Sequence, residues 1–445
     1  MKVNNIRICA IIFLATFIGY AICIIPAQGD SVWSLHIAES FIRTGNFDLD
    51  EYRPLIMPEE YRIEEVQGHL FSVYPLGAPI IAIPFIYALD LFDSLPFCGG
   101  VSLSTYLLNQ PPDGVVMQLE KIIASLLSAV NCLIIFLLAR QYLDIAKSSV
   151  LTVIFAFGTS TWSVASRGLW QHGPSMLCLT IAIYILIIAK KKPSLVPLAG
   201  FPLAFSFLAR PTNIISILLL TAYVWFAYRR YWIYYIICLA VILVPFVLYN
   251  YSIYHTLLSP YYSPQKLGNN PFQGSALAAT LLSPSRGLFI FSPILIWSIY
   301  GFYRTIRQYR LGPHHINLYL FGATILHWIT ISSFGDWAGG YSIGPRYFTD
   351  VIPYLIVFLI PVLDTLQLSN KTSIAIRIRS IVFICLMGFS IFVHYRCSTD
   401  IEPSLWNSIP VNYYQDQGRL WDWSDVQFLR GLCPNNGIQA PKCWY

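Results

Sequence analysis

The sequence predicts an all-α polytopic membrane protein with about eleven transmembrane helices, and three observations predict it. Of its 445 residues, 56% are hydrophobic and only 11% charged, against about 25% charged in ordinary soluble domains. Apolar runs near the roughly 20-residue length that crosses a bilayer recur along the chain. They fall at 7–26, 116–139, 149–165, 174–189, 195–209, 213–228, 231–250, 288–303, 316–333, 350–367 and 381–395. Finally, the basic residues between these runs gather in every second connection.

That alternation sets the orientation. The N-terminus, 140–148, Lys190–Lys192, Arg229–Arg230, Arg304/Arg307/Arg310 and Lys371/Arg377/Arg379 hold 15 of the 28 Lys and Arg, but only Asp144 and Asp364 of the 22 acids. The positive-inside rule assigns these connections to the cytoplasm, with the N-terminus inside and the C-terminus outside. The net charge of +6 therefore reports topology and implies no nucleic-acid partner; the partner it implies is the lipid bilayer.

One apolar stretch breaks the parity. Counting 75–92, PLGAPIIAIPFIYALDLF, as a crossing would put 140–148 and the lysine run outside. Its prolines, glycine and closing aspartates suit an interfacial or re-entrant helix, which leaves 27–115 as one large first external loop. The N-terminal run has the basic start of a signal peptide, but no A-x-A site follows it, and an uncleaved anchor is expected. The expected organisation is a transmembrane domain over 1–395 and an external, aromatic-rich tail or cap over 396–445, with Trp406, Trp421, Trp423 and Trp444. Cys9, Cys23, Cys132, Cys178, Cys238 and Cys385 fall in spans and read as apolar packing. Cys98, Cys397, Cys433 and Cys443 fall outside, where disulfides can form; Cys433 to Cys443 closes the shortest loop, and the connectivity stays open.

The first external stretch, QGDSVWSLHIAES, places Asp30 at the mouth of the anchor. Trp33, Ile37 and Phe41 repeat every four residues from Ser31 to Arg43, an amphipathic helix stopped by Thr44-Gly45-Asn46. Asp30 stands where an N-cap belongs, and capping alone accounts for an Asp there. The helix has an apolar face able to lie on the membrane. A carboxylate at the lipid surface can also take a proton from an acceptor hydroxyl.

The order of long anchor, GD, amphipathic helix, NFDL and YPLGAP resembles the GT-C superfamily of membrane glycosyltransferases, whose relatives include protein O-mannosyltransferases and aminoarabinose transferases of lipid A. The resemblance covers the first seven spans well and the later ones loosely. It implies a GT-C-type bundle with juxtamembrane helices in the first external loop, and an essential acid beside the first span, here Asp30. Many relatives carry a second acid next; this chain has Ser31, so Asp48, Asp50 or Glu39 are candidate helpers. Tyr74 of the YPLGAP stretch and Glu39 are substrate-binding candidates. The resemblance also implies a bacterial cytoplasmic (inner) membrane with an extracytoplasmic site.

Four further external segments hold candidates. In ASRGLWQHGPS, where relatives often place an acid, His172 can orient a substrate hydroxyl, with Arg167 and Trp170 nearby; a structural histidine is the plainer reading. Arg210 of ARPTN is costly between spans unless paired or ligand-bound. Arg286 of SPSRGLFIFSP opens the next span. GDWAGGYSIGPRYF packs Asp336, Trp337, Tyr341, Arg346 and Tyr347 into a Gly-rich loop. Its aromatics suit sugar stacking, and the Arg346 fork suits a phosphate. Arg346, Arg286 and Arg210 are the donor-phosphate candidates.

No nucleotide-binding signature appears. The expected reaction is in-line attack of a hydroxyl on the anomeric carbon of a polyprenyl-phosphate sugar, with Asp30 as base and inversion at that carbon. The acceptor is a lipid, glycan or protein hydroxyl. No cofactor and no metal-ligand spacing is expected, although the external acids could hold a divalent ion. A transporter or flippase of a lipid-linked glycan is the alternative, but such proteins carry repeats and ionisable groups near the midplane, and neither is evident. A non-catalytic envelope assembly partner is the third class.

Overall fold

The computed structural model describes residues 3–23, 25–26, 29–90, 102–263, 274–309, 312–366 and 373–432. Helices occur at every expected apolar run. The anchor is α1 (Val3–Ala21), followed in the first loop by α2 (Ser34–Thr44), α3 (Gly77–Asp90) and α4 (Leu103–Asn109). Then come α5 (Gly114–Ala139), α6 (Ile145–Phe157), α7 (His172–Ile188), α8 (Gly200–Ala209), α9 (Ile214–Ala227) and α10 (Trp232–Tyr254). The second half holds α11 (Gly274–Leu282), α12 (Leu288–Phe291), α13 (Ile296–Tyr309), α14 (Ile316–Ser332), α15 (Ile352–Leu363), α16 (Ile374–Thr399) and α17 (Glu402–Leu405). Four helical stretches are long and apolar enough to cross a membrane by length and composition: Gly114–Ala139, Arg229–Tyr254, Arg346–Leu363 and Ile374–Thr399.

The helix starts follow local chemistry. Asp113 accepts a hydrogen bond from the Val116 N–H at the head of α5, and Asp144 from the Lys147 N–H at the head of α6, each relieving an orphan donor. Proline 211 opens the turn before α9, a position where its missing N–H costs nothing. In the bundle α1 packs along α5, α5 along α7, and α13 along α15. One apolar core runs from Tyr20 and Phe155 through Leu203 and Tyr223 to Phe358 and Phe383.

The first loop departs from the all-α expectation. Strands β1 (Ile63–Val66) and β2 (His69–Ser72) pair antiparallel, with Ile63 opposite Ser72 and Val66 opposite His69. Gln67 and Gly68 both take positive φ, 55° and 88°, the two-residue turn that matches strand twist. Arg62 donates from Nη1 to the Gly29 carbonyl (3.3 Å) while its Nε holds Glu60 (2.6 Å), and Glu60 in turn accepts from Trp33 Nε1 (3.3 Å). The hairpin therefore pins the chain on both sides of Asp30.

Two expectations for α2 are corrected. It begins at Ser34 with Trp33 as its cap residue, so Asp30 lies in the preceding turn and caps nothing. The helix is also not a membrane-lying amphipath: Ser34–Ser40 are all buried, because α3 and α4 cover one side and the Leu49–Tyr52 turn covers another. Its end is as expected, with Gly45 in the left-handed region at φ 78°. The stretch read as interfacial is α3, packed on α2.

Residues 400–432 fold back on the end of α16, the Gly-rich loop and Phe291 of α12. Trp406 is fully buried there against Tyr413 and Leu420, whereas Trp421 and Trp423 stay exposed. Cys397 is free and buried inside α16, packed with Phe291, Val393 and Phe428, so its expected exposure to disulfide chemistry is corrected. Cys98, Cys433, Cys443 and Trp444 lie outside the described residues.

The α13–α15 contact depends on one glycine. A Cβ on Gly301 would stand 1.7 Å from the Phe358 carbonyl oxygen. Replacing Gly301 with Ala should cost about 3 kcal/mol or more, the upper end of overpacking penalties. Melting of the purified protein checks it, and Gly312→Ala, with nothing within 4 Å, should melt like the wild type.

Candidate active site

The carboxylate of Asp30 is held in a turn fixed from three directions. Gly29, at φ 150°, packs closely on the Trp170 ring, which a Cβ would meet at 3.1 Å. On the far side of Asp30, Ser31 donates to Glu120 Oε2 at 2.9 Å, from the second turn of α5. The neighbouring Lys121 donates to the carbonyls of Tyr20 and Ala21, both at 3.1 Å, which satisfies the C-terminal carbonyls of α1. Glu120 and Lys121 are thus two buried ionisable side chains that tie the chain around the end of α1 to α5. The sequence reading passed over them as part of an apolar span.

Opposite stands Arg346. Its Nη1 lies 3.5 Å from Asp30 Oδ2, with the two side chains 13% and 24% exposed. The separation is an ion pair too long for a strong direct hydrogen bond, so both groups keep capacity for a ligand. Its guanidinium lies over the Trp170 ring (4.9 Å) and the Tyr347 ring (5.2 Å). Tyr74 interacts through its hydroxyl with Asp30; burial and then that carboxylate push its phenol well above the usual range, leaving it a neutral donor. Beside it Tyr261 donates to Gln171 Oε1 at 3.0 Å, and burial pushes its phenol up to about 12.

A second, fully buried cluster adjoins the first. Arg210 Nη1 is 3.1 Å from Asp350 Oδ2, and His172 Nδ1 is 3.3 Å from the same oxygen. Arg210 also reaches His172 Nε2 at 2.9 Å. Tyr347 joins the clusters, its ring 5.4 Å from the Arg210 guanidinium and 5.2 Å from that of Arg346. Its carbonyl accepts from His327 Nε2 at 2.8 Å, which fixes the loop between the two arginines. Asp350 is the acid the sequence reading missed. The signal was available in RYFTDV, where a carboxylate opening an apolar run demands a partner, and Arg210 was already a cation in search of one.

Of the expected site residues, the structure brings Asp30, Arg346 and Tyr74 together directly, with His172 and Arg210 one ring away. Arg286 is bonded under the cap and not to Asp30, which corrects its expected place, although it lines one small cavity with Arg346 and Tyr347. It is buried under the cap, with Nε on Ala338 O (2.6 Å), Nη1 on Ser285 O and Gln427 Oε1, and Nη2 on Gly340 O and Asn407 Oδ1 (2.7 Å). Those bonds occupy its fork. Glu39 is likewise corrected. It is fully buried on α2, accepts from Ser104 of α4 and sits 4.0 Å from Arg43, so it ties two loop helices and faces no open space. Asp336 accepts from Tyr414 at 2.8 Å, Tyr341 contacts Asn412 and Trp337 packs on the Trp406 cluster. These three join the Gly-rich loop to the cap rather than to Asp30.

Among the described residues, Asp48, Asp50 and His69 could gather a metal ion, their ligand atoms lying within 4.8 Å of one another. Asp50 already spends Oδ2 on His69 Nδ1 (2.5 Å) and Oδ1 on the Leu70 N–H (2.9 Å). That is hairpin chemistry, and none of the three contacts Asp30 or Arg346.

With this geometry in view, comparison with known proteins places the fold. Residues 102–249 match the family of dolichyl-phosphate-mannose-protein mannosyltransferases, about a third of the chain. No characterised protein sequence matches significantly. Among solved structures, the Archaeoglobus fulgidus oligosaccharyltransferase in its apo form is similar at a TM-score of 0.51 and 12% identity, over 99% of this chain and 62% of that one. The oligosaccharyltransferase AglB of the same organism, in complex with an inhibitory peptide and a dolichol-phosphate, gives 0.52 and 12% over 96% and 61%. ArnT from Cupriavidus metallidurans bound to undecaprenyl phosphate gives 0.50 and 12% over 91% and 74%. The chain spans about three fifths of the oligosaccharyltransferases it matches. It has the fold of these solved structures.

The buried cluster makes its own prediction. Asp350→Ala strands Arg210 without its carboxylate and should cost about 3–5 kcal/mol, while replacing both partners with apolar residues should cost far less. Comparing the melting of Asp350→Ala with that of Asp350→Leu/Arg210→Met checks this; equal losses would mean the ion pair is not what holds the site.

Proposed function

We propose that the chain is a glycosyltransferase that moves a sugar from a polyprenyl-phosphate donor to a hydroxyl on the extracytoplasmic face. The observation that carries the reading is the partly exposed Asp30–Arg346 pair, a base and a phosphate-suited cation 3.5 Å apart where the first span leaves the bundle. Two of the similar structures hold a polyprenyl-type phosphate, dolichol-phosphate in AglB and undecaprenyl phosphate in ArnT, which supports a lipid-linked donor here.

The residues divide the work as follows. The acceptor oxygen attacks the anomeric carbon as its proton passes to Asp30. The bond from that carbon to the phosphate oxygen breaks, and the lipid phosphate leaves with both electrons. Arg346 swings from carboxylate to phosphate and stabilises the charge that develops there. One displacement inverts the anomeric centre. Tyr74, held neutral, donates to Asp30 or to a sugar oxygen. Arg210, already neutralised by Asp350, positions Tyr347 and through it Arg346. About eleven crossings, with N-terminus inside, put this machinery outside. No cofactor enters the scheme.

The test is transfer by the purified protein over a panel of polyprenyl-phosphate sugars, read by mass spectrometry. Asp30→Asn should lower the rate by about 100-fold or more, the usual scale for a general base, in a preparation that remains folded. Full transfer by Asp30→Asn from an accepted donor would sink the assignment.

A further inference from the structure

A cavity of about 500 Å³ lies behind Trp170, between the exit of α1, the turn of π-helix at Thr161–Ala165, the Gly-rich loop and the cap. Ile25, Val164, Ile343 and Leu405 give it apolar walls, and no acidic residue among the described ones lines it. Arg167 does. We propose that this cavity is an anion subsite that takes the phosphate head of an amphiphilic substrate, with Arg167 as its cation. The proposal deepens the transferase reading and rests on it only for the identity of the amphiphile.

Charge accounting leads to Arg167. Arg346 is matched by Asp30 and Arg210 by Asp350, while Arg286 spends its fork on carbonyl and amide oxygens. Arg167 is 4% exposed and donates from Nε to Ile25 O (3.2 Å) and from Nη1 to Cys397 O (2.9 Å). Among the described residues its Nη2 has no hydrogen-bond partner and no carboxylate lies within ion-pair distance. A buried guanidinium without a counter-charge costs several kcal/mol. The two carbonyl bonds explain a tether from α1 to α16, but they supply no counter-charge and do not account for the cavity beside it.

Ser342 and Trp170 also line the cavity, but Ser342 Oγ and Trp170 Nε1 are themselves buried away from it, so Arg167 is the group that offers it a charge. An anion set on a chain that fits apolar walls answers the charge. The position fits the proposed chemistry, because Trp170 forms one wall of the cavity and carries Arg346 on its ring. A phosphate seated at Arg167 would therefore lie one indole away from the Asp30–Arg346 pair. Since the proposed reaction seats the donor's one phosphate at Arg346, the phosphate at Arg167 is that of a polyprenyl carrier on its way to or from Arg346, or of an anionic lipid that accepts the sugar.

The experiment measures lipid binding to the full-length protein in detergent, with undecaprenyl phosphate, undecaprenol and phosphatidylglycerol as probes. The phosphate should bind at least about tenfold tighter than the alcohol. In an Arg346→Gln background, which removes the other phosphate-suited cation, Arg167→Gln should erase that preference, and so should Ser404→Trp, which fills the cavity while keeping Arg167 and thereby covers the case in which Arg167→Gln fails to fold. Preference for phosphatidylglycerol instead, lost in the same two variants, upholds the subsite and assigns it to an acceptor lipid. Equal binding of phosphate and alcohol with no binding of phosphatidylglycerol overturns the proposal, as does binding by Ser404→Trp in that background equal to that of Arg346→Gln alone. Asp30→Asn separates the two readings: it should lose transfer and keep the Arg167-dependent binding.

Discussion

The structure around the Gly-rich loop is organised by one ion pair, between Asp30 in the first loop and Arg346 in the Gly-rich loop. These residues are more than 300 positions apart, and almost everything near them serves to hold one or the other. The hairpin fixes Gly29 through Arg62, Glu120 fixes Ser31, and Trp170 and Tyr347 sandwich the guanidinium. A pair so supported, yet open enough to be partly exposed, is poised to exchange its internal partner for a ligand. A phosphate competing for Arg346 would at the same moment free the carboxylate, so binding of one substrate would prepare the base for the other.

Beneath this pair the protein spends buried charge on rigidity. Arg210 and Asp350 neutralise each other with His172 alongside, and Arg286 clamps the Gly-rich loop to the cap through five acceptors. A buried ion pair or a many-bonded guanidinium is a costly way to gain stability, but it fixes the direction of the groups attached to it. Here those groups are Tyr347 and the loop that carries Arg346. The cap therefore acts through position: it touches neither Asp30 nor Arg346 in the described contacts, but it holds the loop from which Arg346 extends.

Much of this was legible in the sequence, and the part that was not has a common cause. Apolar runs and their caps are local, so helices appear at each run the hydropathy picks out. Asp30, Arg346, Tyr74 and His172 stood out because charged or polar groups at a membrane mouth need a reason. The failures concern pairing across the chain. Arg286 and Arg346 look alike as arginines in aromatic, Gly-containing loops; only the fold shows that the acceptors of Asn407, Gln427 and the Gly-rich loop converge on one and leave the other to Asp30. Glu39 sits nine residues from Asp30 but turns toward α4. The amphipathic pattern of α2 was correctly a helix, yet its polar residues bury against α4 and the Leu49–Tyr52 turn instead of facing water. Glu120 and Asp350 hid inside or beside apolar runs, where a single acid barely changes hydropathy.

The central claim is that Asp30 and Arg346 act as one unit, and a double-mutant cycle on the transfer rate tests it most directly. With an accepted donor, Asp30→Asn, Arg346→Gln and the double variant would be compared in folded, equally stable preparations. Groups that act together are strongly non-additive, so the double variant should be little slower than the worse single one. If instead the two losses multiply, the residues contribute independently and the account of a shared site is wrong.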